Sequence, residues 1–164
     1  MLSHKKYMEI QNLNPEIGDM FEPGDQIIIQ EKIDGSNASF QYDRETDSVI
    51  CFSRNQILSP ELHLRGFYEW VQKLDKEQVH AVLGDNLRMF GEWLVRHTVP
   101  YPKDCYETLY CFDVFDMEQH RYLPQDQVKA LAEQLGLRYV PVFYEGSFTS
   151  WEDYQPLVGK TELG

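Results

Sequence analysis

The chain has 164 residues, of which 42% are hydrophobic, 13% aromatic and 26% charged. This is the composition of a globular domain long enough to bury a core without disulfides or a metal. Fifteen basic and 27 acidic residues give a net charge of −12, which excludes a histone-like or arginine-rich protein and restricts any nucleic-acid contact to a local patch.

No apolar run has the length of a membrane helix, and Met1–Tyr7 lacks the apolar stretch of a secretory signal. The three cysteines, Cys51, Cys105 and Cys111, form no C-x-x-C pair. Their odd number argues against a zinc ribbon or disulfide framework and for a reducing, cytoplasmic setting. In chain order, a turn-rich lead-in is punctuated by Pro15, Gly18, Pro23 and Gly24. The β-branched run Gln26–Glu31 predicts a strand, followed by strands over Ala38–Tyr42 and Ser48–Ser53, which together predict an antiparallel opening. Apolar spacing at Leu62, Phe67, Trp70, Val71 and Leu74 predicts a helix from Pro60 to Leu74. Leu87–Val95 and Leu109–Phe115 read as strands, the second nearly continuous in apolar residues. Pro124–Leu135 reads as a helix closed by Gly136, Tyr139–Tyr144 as a last strand, and Ser150 with Asp153 as the cap of a short helix. Strands outnumber helices without alternating with them, so the fold class is α+β, with mostly antiparallel sheets and flanking helices.

The segment Glu31-Lys32-Ile33-Asp34-Gly35-Ser36-Asn37 carries the chemistry. A lysine at a strand end before a tight Asp-Gly turn is expected in a partly desolvated place, where burial disfavours the ammonium and favours the nucleophilic amine. Gly35 lets the backbone come close to a ligand. Taken alone, the segment reads more readily as a surface β-turn, Asp-Gly being a common turn dipeptide.

Glu31 followed by Lys32-x-Asp34-Gly35 resembles the active-site lysine motif of the covalent nucleotidyltransferases: DNA ligases, RNA ligases and mRNA capping enzymes. Three further segments match in the family's order: Ser53-Arg54-Asn55, Phe90-Gly91-Glu92-Trp93 and Tyr110-Cys111-Phe112-Asp113-Val114. Asn37 stands where DNA ligases and capping enzymes carry arginine. Together with the string from Phe90 to His97 and with Tyr101, it resembles the RNA ligase 2 and editing-ligase branch. The resemblance implies an adenylation domain in which Lys32 attacks the α-phosphate of ATP, assisted by a divalent ion (Mg2+). AMP would then pass to a 5′-phosphate RNA end, to be displaced by a 3′-hydroxyl. It implies that Glu92 binds the ribose, Arg54 phosphate or ribose oxygens, and Asn37 the AMP phosphate. Phe112 would stack on adenine or simply pack in the core, and Glu31 would help read adenine or merely end a strand. Asp113 and Asp116, three apart on a strand, do not read as one metal site.

Two later motifs of the family lack a good match. Glu145-Gly146 is followed by a poor apolar strand, and Lys160 is the sole lysine after Lys129. Residues 1–164 are therefore expected to be a partial adenylation domain without its C-terminal strands, forming little lysyl–AMP alone. A DNA ligase, a GTP-using capping guanylyltransferase and a non-catalytic nucleotide-binding module are the alternatives.

Overall fold

A computed structural model describes residues 2, 5, 7, 8 and 21–163; the part of the lead-in around Pro15 and Gly18 lies outside the described residues. The chain divides into two compact units, Met1–Tyr7 with Ile33–Tyr139 and Met8–Lys32 with Val140–Gly164.

The first unit is built on a six-stranded sheet. It comprises β2 (Ser36–Asp43), β3 (Ser48–Ser53), β4 (Leu87–Leu94), β5 (Thr108–Asp116), β6 (Arg121–Tyr122) and β7 (Arg138–Tyr139), with the order β3-β2-β4-β5-β6 and β7 paired parallel to β5. The other pairings are antiparallel. Three helices, α1 (Phe67–Gln72), α2 (Lys76–Leu83) and α3 (Gln125–Gln134), supply Phe67, Val71, Val79, Leu83, Val128 and Ala132 to one core with Ala38, Phe40, Cys51, Met89, Trp93, Leu109 and Val114. Alternation along the strands turns Asn37, Ser39 and Gln41 of β2, and Arg88, Phe90 and Glu92 of β4, to the opposite face. All three cysteines are buried and free.

The second unit is a two-stranded antiparallel ribbon of β1 (Gln26–Gln30) and β8 (Val142–Ser147). The main chain continues its closure, with Glu31 N–H donating to the Pro141 carbonyl at 2.9 Å and Phe148 N–H to that of Asp25 at 2.6 Å. A ribbon of this size is marginal by itself. It is backed by an aromatic group of Phe21, Phe148, Trp151 and Tyr154 around the short α4 (Trp151–Tyr154).

The α+β class holds, and β3, β4, β5 and α3 lie within a residue or two of their expected places. Four expectations are corrected. β1 pairs with β8 and not with β2, so the opening strands do not form one antiparallel run. The helix expected from Pro60 begins only at Phe67, because Leu64, Arg65 and Gly66 are all left-handed, with φ of 49°, 49° and 94°. The last expected strand splits into β7 and β8 at Val140-Pro141, where Pro141 has no N–H to pair. Ser150 precedes α4 but makes no side-chain cap; Thr149 Oγ1 donates instead to Asp153 Oδ2 at 2.6 Å. The helix α2 was not anticipated, although Asp75 caps it by accepting from the N–H groups of Glu77 (3.0 Å) and Gln78 (3.4 Å).

β4 and β5 are tightest at Gly91, where a Cβ would lie 2.7 Å from the Tyr110 carbonyl oxygen and 2.8 Å from Leu109 Cδ1. Because the first obstacle is backbone, Gly91→Ala is expected to lower unfolding free energy by about 1–3 kcal/mol, read as a reduced urea midpoint at unchanged slope.

Candidate functional site

The face of the sheet opposite the helices collects most of the expected site. Asn37 and Glu92 are direct partners across β2 and β4, so their side chains leave the sheet side by side. Gly35 sits against the same place. A Cβ there would fall 2.5 Å from the Trp93 carbonyl oxygen and 3.1 Å from Glu92 Cγ. The glycine of the lysine motif thus permits a close approach of its own turn to β4, in addition to any approach to a ligand.

Phe112 reaches this face through a β-bulge. Phe90 pairs with Asp113 while Gly91 pairs with Cys111, leaving Phe112 as the extra residue. Such a bulge re-aims a side chain, and Phe112 and Asp113 consequently both meet Tyr7. The Phe112 ring packs edge-on at 5.0 Å, and Asp113 Oδ2 accepts from the Tyr7 hydroxyl at 2.5 Å. Phe112 is only partly buried, against a small cluster of Tyr7, Phe90 and Phe115. It therefore packs against the protein and also keeps exposed ring surface.

Asp113 is 7% exposed. Burial pushes its carboxyl upward, opposed by hydrogen bonds from Tyr7 and from Gln125 Nε2 at 2.9 Å. Gln125 in turn accepts a short hydrogen bond from Tyr139. Burial, reinforced by the Asp113 carboxylate, raises the Tyr7 phenol, and nearby Arg54 pulls it the other way. Arg54 itself lies just past the end of β3. Below the same face lies Arg88, fully buried, its guanidinium 3.8 Å from the Phe52 ring centre and its Nε donating to Gln41 at 3.0 Å. Burial lowers its pKa to about 10.

Asp34 anchors the loop after β4. Its carboxylate accepts from Val99 N–H at 2.7 Å and faces His97 Nδ1 at 3.2 Å, and its own N–H donates to the Tyr101 hydroxyl at 3.0 Å. The Val99 bond, with the nearby His97, holds the Asp34 carboxyl below its ordinary value. This gives a structural place to Tyr101 and to His97, which from sequence, with Arg96, reads either as an RNA contact or, for a lone histidine, as a structural residue.

The first unit contains Asn37, Glu92, Arg54 and Phe112 and pairs the first two across β2 and β4. Lys32 and Glu31 belong to the second. Lys32 is exposed, correcting the expectation of a partly desolvated lysine: β1 stops at Gln30 and is only half-buried. Glu31 is 7% exposed, and its Oε2 has no hydrogen-bond partner among the described residues. Glu145 and Gly146 lie within β8, opposite Ile28 and Ile27, not ahead of a further strand. Tyr7 and the Asp34 clamp were missed as site features. The only sequence signals were a lone aromatic after Lys5-Lys6 and an Asp-Gly pair that also describes any turn.

The fold is α+β, with a mostly antiparallel sheet that carries Asn37 and Glu92 on the face opposite its helices. The RNA ligase family model matches residues 25–162, and the chain belongs to that family. No curated protein sequence matches it. Among solved structures it is similar to two forms of an archaeal ATP-dependent RNA ligase. Form 1 aligns at 20% identity and a TM-score of 0.69, covering 88% of this chain and 38% of the other. Form 2 aligns at 19% and 0.65, covering 87% and 38%. A Naegleria gruberi RNA ligase variant solved with ATP and Mn aligns at 20% and 0.62, covering 93% and 46%. The chain therefore spans less than half the length of these relatives. Among the described residues no three His, Cys, Asp or Glu side chains converge as a metal centre. No helix among them is long and apolar enough to cross a membrane.

Asp34→Ala is expected to release the loop, accelerating amide exchange at Val99 by at least about tenfold. In the unaltered protein the clamp is intact above the ordinary carboxylate pKa and is lost as pH falls through the depressed folded value. The Val99 amide resonance should follow that titration, with its midpoint below the ordinary range. Tyr7→Phe removes one of two donors to buried Asp113 and should cost about 1–3 kcal/mol, measured by chemical denaturation.

Proposed function

We propose that these residues form the lysine-bearing part of the nucleotidyltransferase domain of an ATP-dependent RNA ligase of the RNA ligase 2 branch, acting in the cytoplasm on RNA ends. The observation that carries this reading is the pairing of Asn37 with Glu92 under Gly35. It joins the lysine motif to the glutamate motif in a chain of the RNA ligase family. Asn37 at this place also favours an RNA ligase over a DNA ligase or capping enzyme.

In this reading the Lys32 amine attacks the α-phosphorus of ATP. A nitrogen–phosphorus bond forms, the bond to the bridging oxygen breaks, pyrophosphate leaves, and the amine's second proton passes to solvent. A 5′-phosphate oxygen then attacks the same phosphorus, the nitrogen–phosphorus bond breaks and the Lys32 amine is freed; a 3′-hydroxyl, its proton passing to solvent, attacks the 5′-phosphate and expels AMP as the phosphodiester forms. Because Lys32 is exposed, water around the amine must be displaced by the nucleotide itself, so positioning dominates. Glu92 accepts from the ribose hydroxyls, Arg54 offers its fork to phosphate or ribose oxygens, and Asn37 holds the AMP phosphate. Phe112 presents ring surface to adenine, and Glu31, with its unpartnered buried oxygen, accepts from the base. A divalent ion such as Mg2+, when bound, would supply charge neutralisation at the ATP phosphates.

The test is incubation with Mg2+ and α-labelled ATP or GTP, followed by denaturation, for residues 1–164 and for the chain continued past Gly164. The expected result is little label on the short chain, and on the continued chain label from ATP alone that disappears in Lys32→Ala. ATP binding without covalent label on either chain would instead identify a nucleotide-binding module.

A further inference from the structure

We infer that Arg65 and Arg96 form a phosphate-binding surface for a polynucleotide strand, distinct from the residues assigned to the nucleotide; the identity of the ligand rests on the RNA ligase reading. The first observation is the backbone at residues 64–66. Leu64 and Arg65 are both left-handed although neither is glycine, an arrangement that costs roughly 1–2 kcal/mol per residue and persists only where surroundings enforce it. Here the surroundings are specific. The indole Nε1 of Trp93 donates to the Arg65 carbonyl at 3.3 Å, and Gly66 N–H donates to His63 Nδ1 at 3.0 Å. Trp93 itself is fully buried against Phe67 and Trp70, so the turn stands on a rigid support.

The second observation is what the turn presents. Arg65 Nη1 donates to the main-chain carbonyl of Arg96 at 2.8 Å. Arg96 begins the loop that Asp34 clamps through Val99 and His97. Both arginines are exposed, and among the described residues neither forms an ion pair with a carboxylate. In a chain with 27 acidic and 15 basic residues, two neighbouring arginines that share a main-chain contact and no carboxylate form an uncompensated positive site. Guanidinium groups match phosphate oxygens in pairs of parallel hydrogen bonds. Both side chains lie on an exposed turn and loop, open to a strand's phosphates.

The test is fluorescence anisotropy of the 164-residue chain with a labelled nicked RNA duplex bearing a 5′-phosphate at the nick, without ATP, over a range of salt concentrations. Arg96→Ala retains the carbonyl that Arg65 grips, so it removes charge without touching the turn; Arg65→Gln is the companion variant. Each is expected to weaken binding roughly 3- to 10-fold and to reduce the slope of log K against log salt by about 1. Lys129→Ala, on the exposed side of α3, should change neither. Unchanged affinity and slope in Arg96→Ala, an equal loss in Lys129→Ala, or no RNA binding by the unaltered chain would overturn the inference. Arginine-dependent RNA binding in a protein that takes no label from ATP would sustain the surface while overturning the nucleotidyl-transfer reading.

Discussion

The contact on which the site depends is the close seating of the Asp34-Gly35 turn and β2 against β4. Two glycines make the local geometry possible: Gly35 lies under the Trp93 carbonyl, and Gly91 lies against the Tyr110 carbonyl on the other side of the same strand. With side chains at either position, the strands would separate or shift. A shift of one residue would turn Asn37 and Glu92 to the helix-covered face. The hydrophobic pattern resists that slip, because Phe40, Met89 and Trp93 would then lose their places in the core. The chemistry-bearing register is therefore fixed by packing on the far side of the sheet.

The bulge at Phe112 solves a second geometric problem. Regular alternation would send Phe112 and Asp113 to opposite faces, whereas the extra residue lets both contact Tyr7. Asp113 can be buried because two donors satisfy it, one from Tyr7 and one from Gln125 at the start of α3. The cost of desolvating a carboxylate is thus met by groups from distant parts of the chain. What results is an aromatic ring whose neighbours are fixed but whose surface is not fully covered.

Sequence alone resolved the elements with strong local signals. The alternation of β3 and β4 and the Pro124 and Gly136 punctuation of α3 could be read directly, and the Lys32, Arg54, Glu92 and Phe112 motifs came in family order. Lost were features decided by distant contacts. The pairing of β1 with β8 joins residues more than a hundred positions apart, and nothing within the Ile27–Ile29 run distinguishes it from a partner of β2. The left-handed Leu64 and Arg65 have no residue signature, since the turn is held by its contacts to Trp93 and His63. The α2 helix was legible, with Asp75 ahead of Gln78 and an apolar Val79–Leu83 pair, and the split at Pro141 was marked by the proline itself. The exposure of Lys32 was not legible, because the same strand-end pattern fits a buried or an open lysine.

Net charge is a poor guide to what such a protein binds, for a reason of scale. At physiological ionic strength the screening length is about 8 Å, so most of the −12 charge is invisible to a phosphate at any one point on the surface. What that phosphate meets is the local balance, and this varies sharply along the chain. Asp47 faces Lys76 at 2.9 Å and Asp85 faces Arg44 at 3.6 Å, so those cations already have carboxylate partners. Arg65 instead spends its contact on a neutral carbonyl. A carbonyl orients a guanidinium without cancelling its charge, which is the difference between a cation that holds the fold together and one that remains available to an anion.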